Sequence, residues 1–137
     1  MFFKNDNNYE NEKLVKVAAL LIHAAKIDEN FSKKEEEIIK KTLLEIGAND
    51  RNIEKIIGDG KKIENNSNQI LDFTREVKNM DNNDKIKIIQ SLWKIIYSNK
   101  EADMYETNLM RRLAGLLYID NKTMGDIKNK IKDEYSQ

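Results

Sequence analysis

Two stretches of the chain place acidic or amide side chains at matching intervals. In residues 21–35, Asp28 precedes Ser32 by four positions and Glu35 follows it by three. Residues 92–106 repeat the arrangement 71 positions later, with Asn99, Asp103 and Glu106. Asp28, Glu35, Asn99 and Glu106 form an oxygen-rich set, the donor chemistry that suits calcium, magnesium or manganese. The same spacing has a second meaning. Ser32 with Glu35, and Asp103 with Glu106, have the form of a capping box, in which the glutamate reaches back to the start of its own helix. Such a cap is worth about 0.5–2 kcal/mol, and a carboxylate there also meets the positive end of the helix dipole. Capping accounts for Ser32, Glu35, Asp103 and Glu106 but assigns nothing to Asp28 or Asn99.

Helical positions sharpen the pattern. Three, four, seven and eleven residues after Glu35 come Ile38, Ile39, Thr42 and Ile46; after Glu106 come Leu109, Met110, Leu113 and Leu117. The same steps back from Asp28 reach Ala25, Ala24, Leu21 and Val17, and from Asn99 they reach Ile96, Ile95, Leu92 and Ile88. All four polar groups are therefore expected on inner faces, at helix ends. A shared cation site requires the two units to pack about a pseudo-two-fold axis. The loop from Asp28 to Ser32 lacks the glycine and the twelve-residue ligand spacing of an EF-hand. A buried carboxylate can acquire a raised pKa, so a metal-dependent enzyme using Glu35 or Glu106 as base is an alternative. No Gly-rich phosphate loop, nucleophile elbow or His-rich motif is present. The chain is read as non-catalytic, with a pure protein-interaction domain whose motifs serve only as caps as the further alternative.

Other residues invite plainer readings. His23, the single histidine, falls opposite the Leu14–Leu21–Ala25 face and reads as a surface or groove residue. Trp93 and Tyr97 stand at helical spacing on an apolar helix and read as core. Arg111 and Arg112 read as solvated or salt-bridged near Glu106, with a small anion patch as the alternative.

The elements that must position these residues are helical throughout. There is no proline, glycine occurs five times, and sheet-type alternation is hard to find. The expectation is all-α, a compact bundle of about seven helices. Residues 1–8 are expected to be a flexible N-terminus, and 9–135 a single domain. The first helix is expected from about Tyr9 to Ile27, and the second from Ser32 to about Ile46, stopped by Gly47. Asn49-Asp50 opens a weaker third helix, with Gly58 and Gly60 weakening its far end. Residues 61–68 read as a linker or a loose helical end. A fourth helix carries Phe73 and Val77. Asp81 opens the fifth, whose wide apolar arc marks a central helix. Asp103 opens the sixth and Asp120 or Asn121 the last.

Composition narrows the function classes. Twenty-four basic and 24 acidic residues cancel, which argues against a nucleic-acid binder that works by displacing counterions. Cysteine is absent, so disulfides, thiolate metal sites and thiol-based redox chemistry are excluded. The apolar stretch from Val17 to Ala25 is interrupted by His23 and is far short of the roughly 18 residues of a membrane span. No signal-peptide pattern opens the chain, and a soluble cytoplasmic protein is expected.

The two paired motifs resemble those of TerB-like domains, the tellurite-resistance TerB family, which includes the N-terminal region of DjlA-type co-chaperones. In that family a helix ends in Ala-Asp-Gly, and after a short loop the next helix holds a glutamate in its first turn. The corresponding stretches here are Lys26 to Glu35 and Tyr97 to Glu106, and Asn108 to Leu117 is similar to the family's following helix, including its basic pair. The resemblance spans roughly residues 9–135. It implies an all-α fold that brings the motif residues together, divalent-metal binding, and a role in stress responses or protein complexes without established enzyme activity. A protein partner is implied and a homodimer is compatible with it. Glu29 and Lys100 replace the family's glycines and Asn99 its second aspartate. The lost carboxylate weakens the expected hold on a hard cation, although an asparagine carbonyl can still ligate calcium.

Overall fold

With no proline in the chain, α-helical starts at Ser32 and Asp81 rest on side-chain caps, and two helix ends rest on residues of positive φ. The structure, a computed structural model, describes residues 2–26, 32–67, 70–98 and 104–135, except for the side chains of 2–10 and 104–105. These residues form α1 (Phe2–Ala25), α2 (Lys33–Glu45), α3 (Ile53–Asn66), α4 (Leu71–Lys78), α5 (Asn82–Tyr97), α6 (Met104–Leu116) and α7 (Asn121–Tyr135). There is no strand among them. The all-α expectation of seven helices holds.

Local hydrogen bonds explain several boundaries. The Asp81 carboxylate accepts the Asp84 N–H at 2.9 Å and starts α5; Asp120 accepts the Thr123 N–H at 3.1 Å and starts α7. At the end of α2, Gly47 takes φ +132° and the Ala48 N–H closes on the Leu43 carbonyl at 2.9 Å. The same six-residue closure ends α6, where Ile119 N–H donates to the Ala114 carbonyl at 2.9 Å. Here the reversing residue is Tyr118, at φ +58°, where glycine is usual.

One boundary differs from expectation and one decides between two readings. α1 begins at Phe2 rather than near Tyr9, since no glycine or proline lies between them to break it. α3 runs on through Gly58 and Gly60 to Asn66, so of the two readings of 61–68, linker or helical end, the helical one holds as far as Asn66. The reason is tertiary. A Cβ on Gly60 would lie 2.8 Å from Ala18 Cβ and 3.2 Å from Ala19 N, so glycine lets α3 close directly onto the backbone of α1.

That contact belongs to a parallel pair. Asn52 Nδ2 donates to Asn11 Oδ1, 41 residues apart, and Lys26 Nζ donates to Asn65 Oδ1, 39 apart. α1 and α3 therefore run side by side in one direction. α2 runs against α3, with Lys40 paired to Glu54 and Glu36 to Lys61. α5 was expected to be central and is, burying Ile88, Ile89, Leu92, Trp93, Ile95 and Ile96. α1 shares that position: Val17, Ala18, Ala19, Leu20 and Leu21 are all 0% exposed, and α2, α3, α4 and α5 pack around them. α7 covers α5, where Trp93 Nε1 donates to Met124 Sδ at 3.4 Å and Lys128 Nζ lies 5.4 Å from the indole.

Candidate functional site

Glu35 enters the fold through a reciprocal cap. The Ser32 hydroxyl accepts the Glu35 N–H at 3.1 Å, and Glu35 Oε1 accepts the Ser32 N–H at 2.9 Å. The capping box read from the spacing is present in full. Its carboxylate is nonetheless unlike an ordinary cap, which stands at the surface: Glu35 is 0% exposed. The residues at its i+4, i+7 and i+8 positions, Ile39, Thr42 and Leu43, are buried too, and they carry the glutamate inward with their face of α2.

Glu106 occupies the corresponding first turn of α6 and is 6% exposed. Met110, Leu113 and Leu117 continue its face into the core. Its charge is felt at the end of α5: burial raises the Tyr97 pKa above the usual phenol value, and the Glu106 carboxylate raises it further. Tyr97 in turn stacks on Trp93, ring centroids 5.9 Å apart, so both aromatics belong to the core as expected.

The inner-face positions expected for the two glutamates are observed. Asp28, Asn99 and Asp103 lie outside the described residues. Among the described residues, no three His, Asp or Glu side chains are grouped as a metal ion would need. The described part of the donor set is thus two buried carboxylates, each at a helix start where amide N–H groups favour negative charge. Arg111 and Arg112 are exposed, with no ion pair to Glu106 or any other carboxylate among the described residues.

A third buried carboxylate escaped sequence reasoning. Glu64, in the stretch read as a linker or a loose helical end, is 8% exposed. Its Oε1 lies 2.7 Å from Lys26 Nζ and its Oε2 3.7 Å from His23 Nδ1. The lysine contact is held by charge rather than by an aligned hydrogen bond, since Oε1 has no hydrogen-bonded partner. His23 is the groove residue expected, its ring 6.3 Å from Phe73. The signal was available in principle: Ile53, Ile56, Ile57, Gly60 and Glu64 share one helical stripe, which the two glycines disguised. This cluster ties the C-terminal turn of α3 to Lys26, the last described residue before the first motif loop.

Two clefts among the described residues lie away from these glutamates. One of about 580 Å3 runs between α1 and α3 over Val15 and Ile56, and another of about 300 Å3 lies between α2 and α5. Neither is lined by Glu35 or Glu106.

No helix among the described residues is long and apolar enough to cross a membrane. Residues 14–129 match the family model described as tellurite resistance protein TerB. No curated protein and no solved structure matches the chain significantly.

Proposed function

The chain belongs to the TerB family, and on that premise we propose that it is a non-catalytic binding or scaffolding module whose motif glutamates serve a divalent-cation site. The observation that carries the proposal is the burial of both Glu35 and Glu106 in the first turns of their helices. A cap needs only a side chain at the surface, whereas a carboxylate withdrawn from water is costly unless something compensates its charge. Asp28 and Asn99 would complete the set with Glu35 and Glu106, giving three carboxylates and an amide oxygen. A cation held there would supply charge neutralisation between two helix–loop–helix units and so couple their loops. A cytoplasmic setting, a stress-related role and a protein partner complete the proposal, each supported by family membership rather than by a side chain.

The second reading, capping alone, is favoured by the complete Ser32–Glu35 box. One substitution separates the two. Glutamine also serves in a capping box, so Glu35→Gln keeps the cap and removes the charge. Metal-free protein is titrated with calcium, magnesium and manganese while its melting temperature is followed. The cation reading expects a rise that saturates in wild type and is lost in Glu35→Gln and Asp28→Ala. No rise in wild type at millimolar metal would sink it and leave the cap.

A further inference from the structure

The cleft between α2 and α5 is lined mainly by polar side chains. On α5 the residues facing the cleft include Lys87, Ser91 and Lys94, and on α2 Lys41 and Glu45. Their spacings of three, four and seven are those by which one helix face meets its neighbour. Ile38 is the one apolar side chain that either helix contributes, and Glu134 and Tyr135 at the end of α7 close the cleft.

Three facts about this cleft point the same way. Ser91 is 1% exposed and its hydroxyl has no hydrogen-bond partner, a position in which a polar group destabilises the fold. An oxygen acceptor in the cleft would recover that loss. Lys41, Lys87 and Lys94 have no carboxylate within ion-pairing distance among the described residues, although Glu45 and Glu134 share the lining. Three unneutralised ammonium groups against two carboxylates leave the cleft cationic, and Lys34, 5.7 Å from the Tyr135 ring, adds a further positive charge at its mouth. The volume, about 300 Å3, is at the small end of ligand sites and far too small for a nucleic-acid strand.

We propose that this cleft binds a small phosphate-bearing anion, with Lys87 and Lys94 holding its charge and the Ser91 hydroxyl donating to a phosphate oxygen. Lys41 approaches from α2, so the anion bridges the two helices. The site is independent of the motif glutamates and needs no metal.

The test is a titration of the full chain with inorganic phosphate and then pyrophosphate, at low ionic strength and without divalent cations, followed by amide NMR shifts and calorimetry. Saturable shifts centred on residues 87–94 of α5 and 38–45 of α2 are expected. Binding is expected to weaken roughly tenfold or more in Lys87→Gln/Lys94→Gln, and also in Ser91→Ala. Ser91→Ala removes only a hydroxyl that has no hydrogen-bond partner and is expected to keep the fold, which circular dichroism checks for both variants. Sodium chloride at matched ionic strength must leave these amides unmoved. The proposal is overturned if shifts do not saturate, if chloride reproduces them, or if Ser91→Ala binds phosphate as wild type does.

Discussion

The Lys85 ammonium, in a residue only 7% exposed, donates to the Leu117 carbonyl at 3.1 Å. Leu117 follows the last turn of α6, where unpaired carbonyls gather the negative end of the helix dipole. A lysine would ordinarily stand at the surface, and here it joins the start of α5 to the end of α6. Lys85→Met keeps the apolar stem and strands the carbonyl. It is expected to cost about 1–3 kcal/mol, read from urea denaturation. A neutral result would mean that removing the buried charge offsets the lost bond.

Two glycines in α3 should respond in opposite directions. Nothing lies within 4 Å of a Cβ built on Gly58, so Gly58→Ala should stabilise by about 0.5–1 kcal/mol through helix propensity. At Gly60 the obstruction comes from the α1 backbone as well as Ala18 Cβ. Overpacking of that kind costs about 1–3 kcal/mol, which outweighs the propensity gain. Thermal melts of the two variants should fall on either side of wild type.

Tyr118 tests the cost of a reversed turn. Its φ of +58° is a conformation that glycine adopts freely and tyrosine does not. Tyr118→Gly should raise stability by up to about 1 kcal/mol, after allowing for the greater freedom of glycine in the unfolded chain. Tyr118→Ala keeps the strain and should gain nothing. A loss in the glycine variant would show that the contact between Lys78 and the Tyr118 ring, 5.6 Å to its centre, matters more than the backbone.

Tyr97 gives the alkaline limb of stability a specific source. Burial first, and Glu106 second, raise its folded pKa above the unfolded value. Its contribution is therefore complete below about pH 10 and is lost as pH rises through the folded pKa. Tyr97→Phe should lose less stability than wild type over that rise. Glu106→Gln should move the slow-titrating phenol, followed by tyrosinate absorbance, to lower pH. If the phenol titrates unchanged in Glu106→Gln, the coupling between the two side chains is disproved.

Ser32→Ala removes half of the capping box around Glu35. A loss of about 0.5–2 kcal/mol is expected in chemical denaturation without metal. Retention of full stability would show that the start of α2 is held by its packing alone.

What sequence reasoning reached was mostly local. Ser32, Asp81 and Asp120 announce helix starts because their hydrogen bonds close within three residues. Gly47 announces a stop because few other residues accept its positive φ. The burial of Glu35 and Glu106 was legible because their apolar neighbours recur at i+3 and i+4. The continuation of α3 was not, since the explanation for Gly60 sits 42 positions upstream at Ala18. Lys85 and Glu64 failed for the same reason: each is retained in the interior by a partner that only the folded chain brings near. Of the motif set, Asp28 and Asn99 lie beyond the described residues, so half of that reading rests on sequence alone.

The complete burial of Val17 to Leu21 in α1 also bears on how the chain is made. The helix leaves the ribosome before any of the four that cover it, and the last of these, α5, ends at Tyr97. At ~5–20 residues per second, the stretch from Ala25 to Tyr97 takes roughly 4–14 s to synthesise. For that interval Val17 to Leu21, which have no solvent-facing side in the finished fold, stay accessible on a nascent chain. Chaperone capture and misassociation compete there, before a melting experiment on the purified protein could detect either.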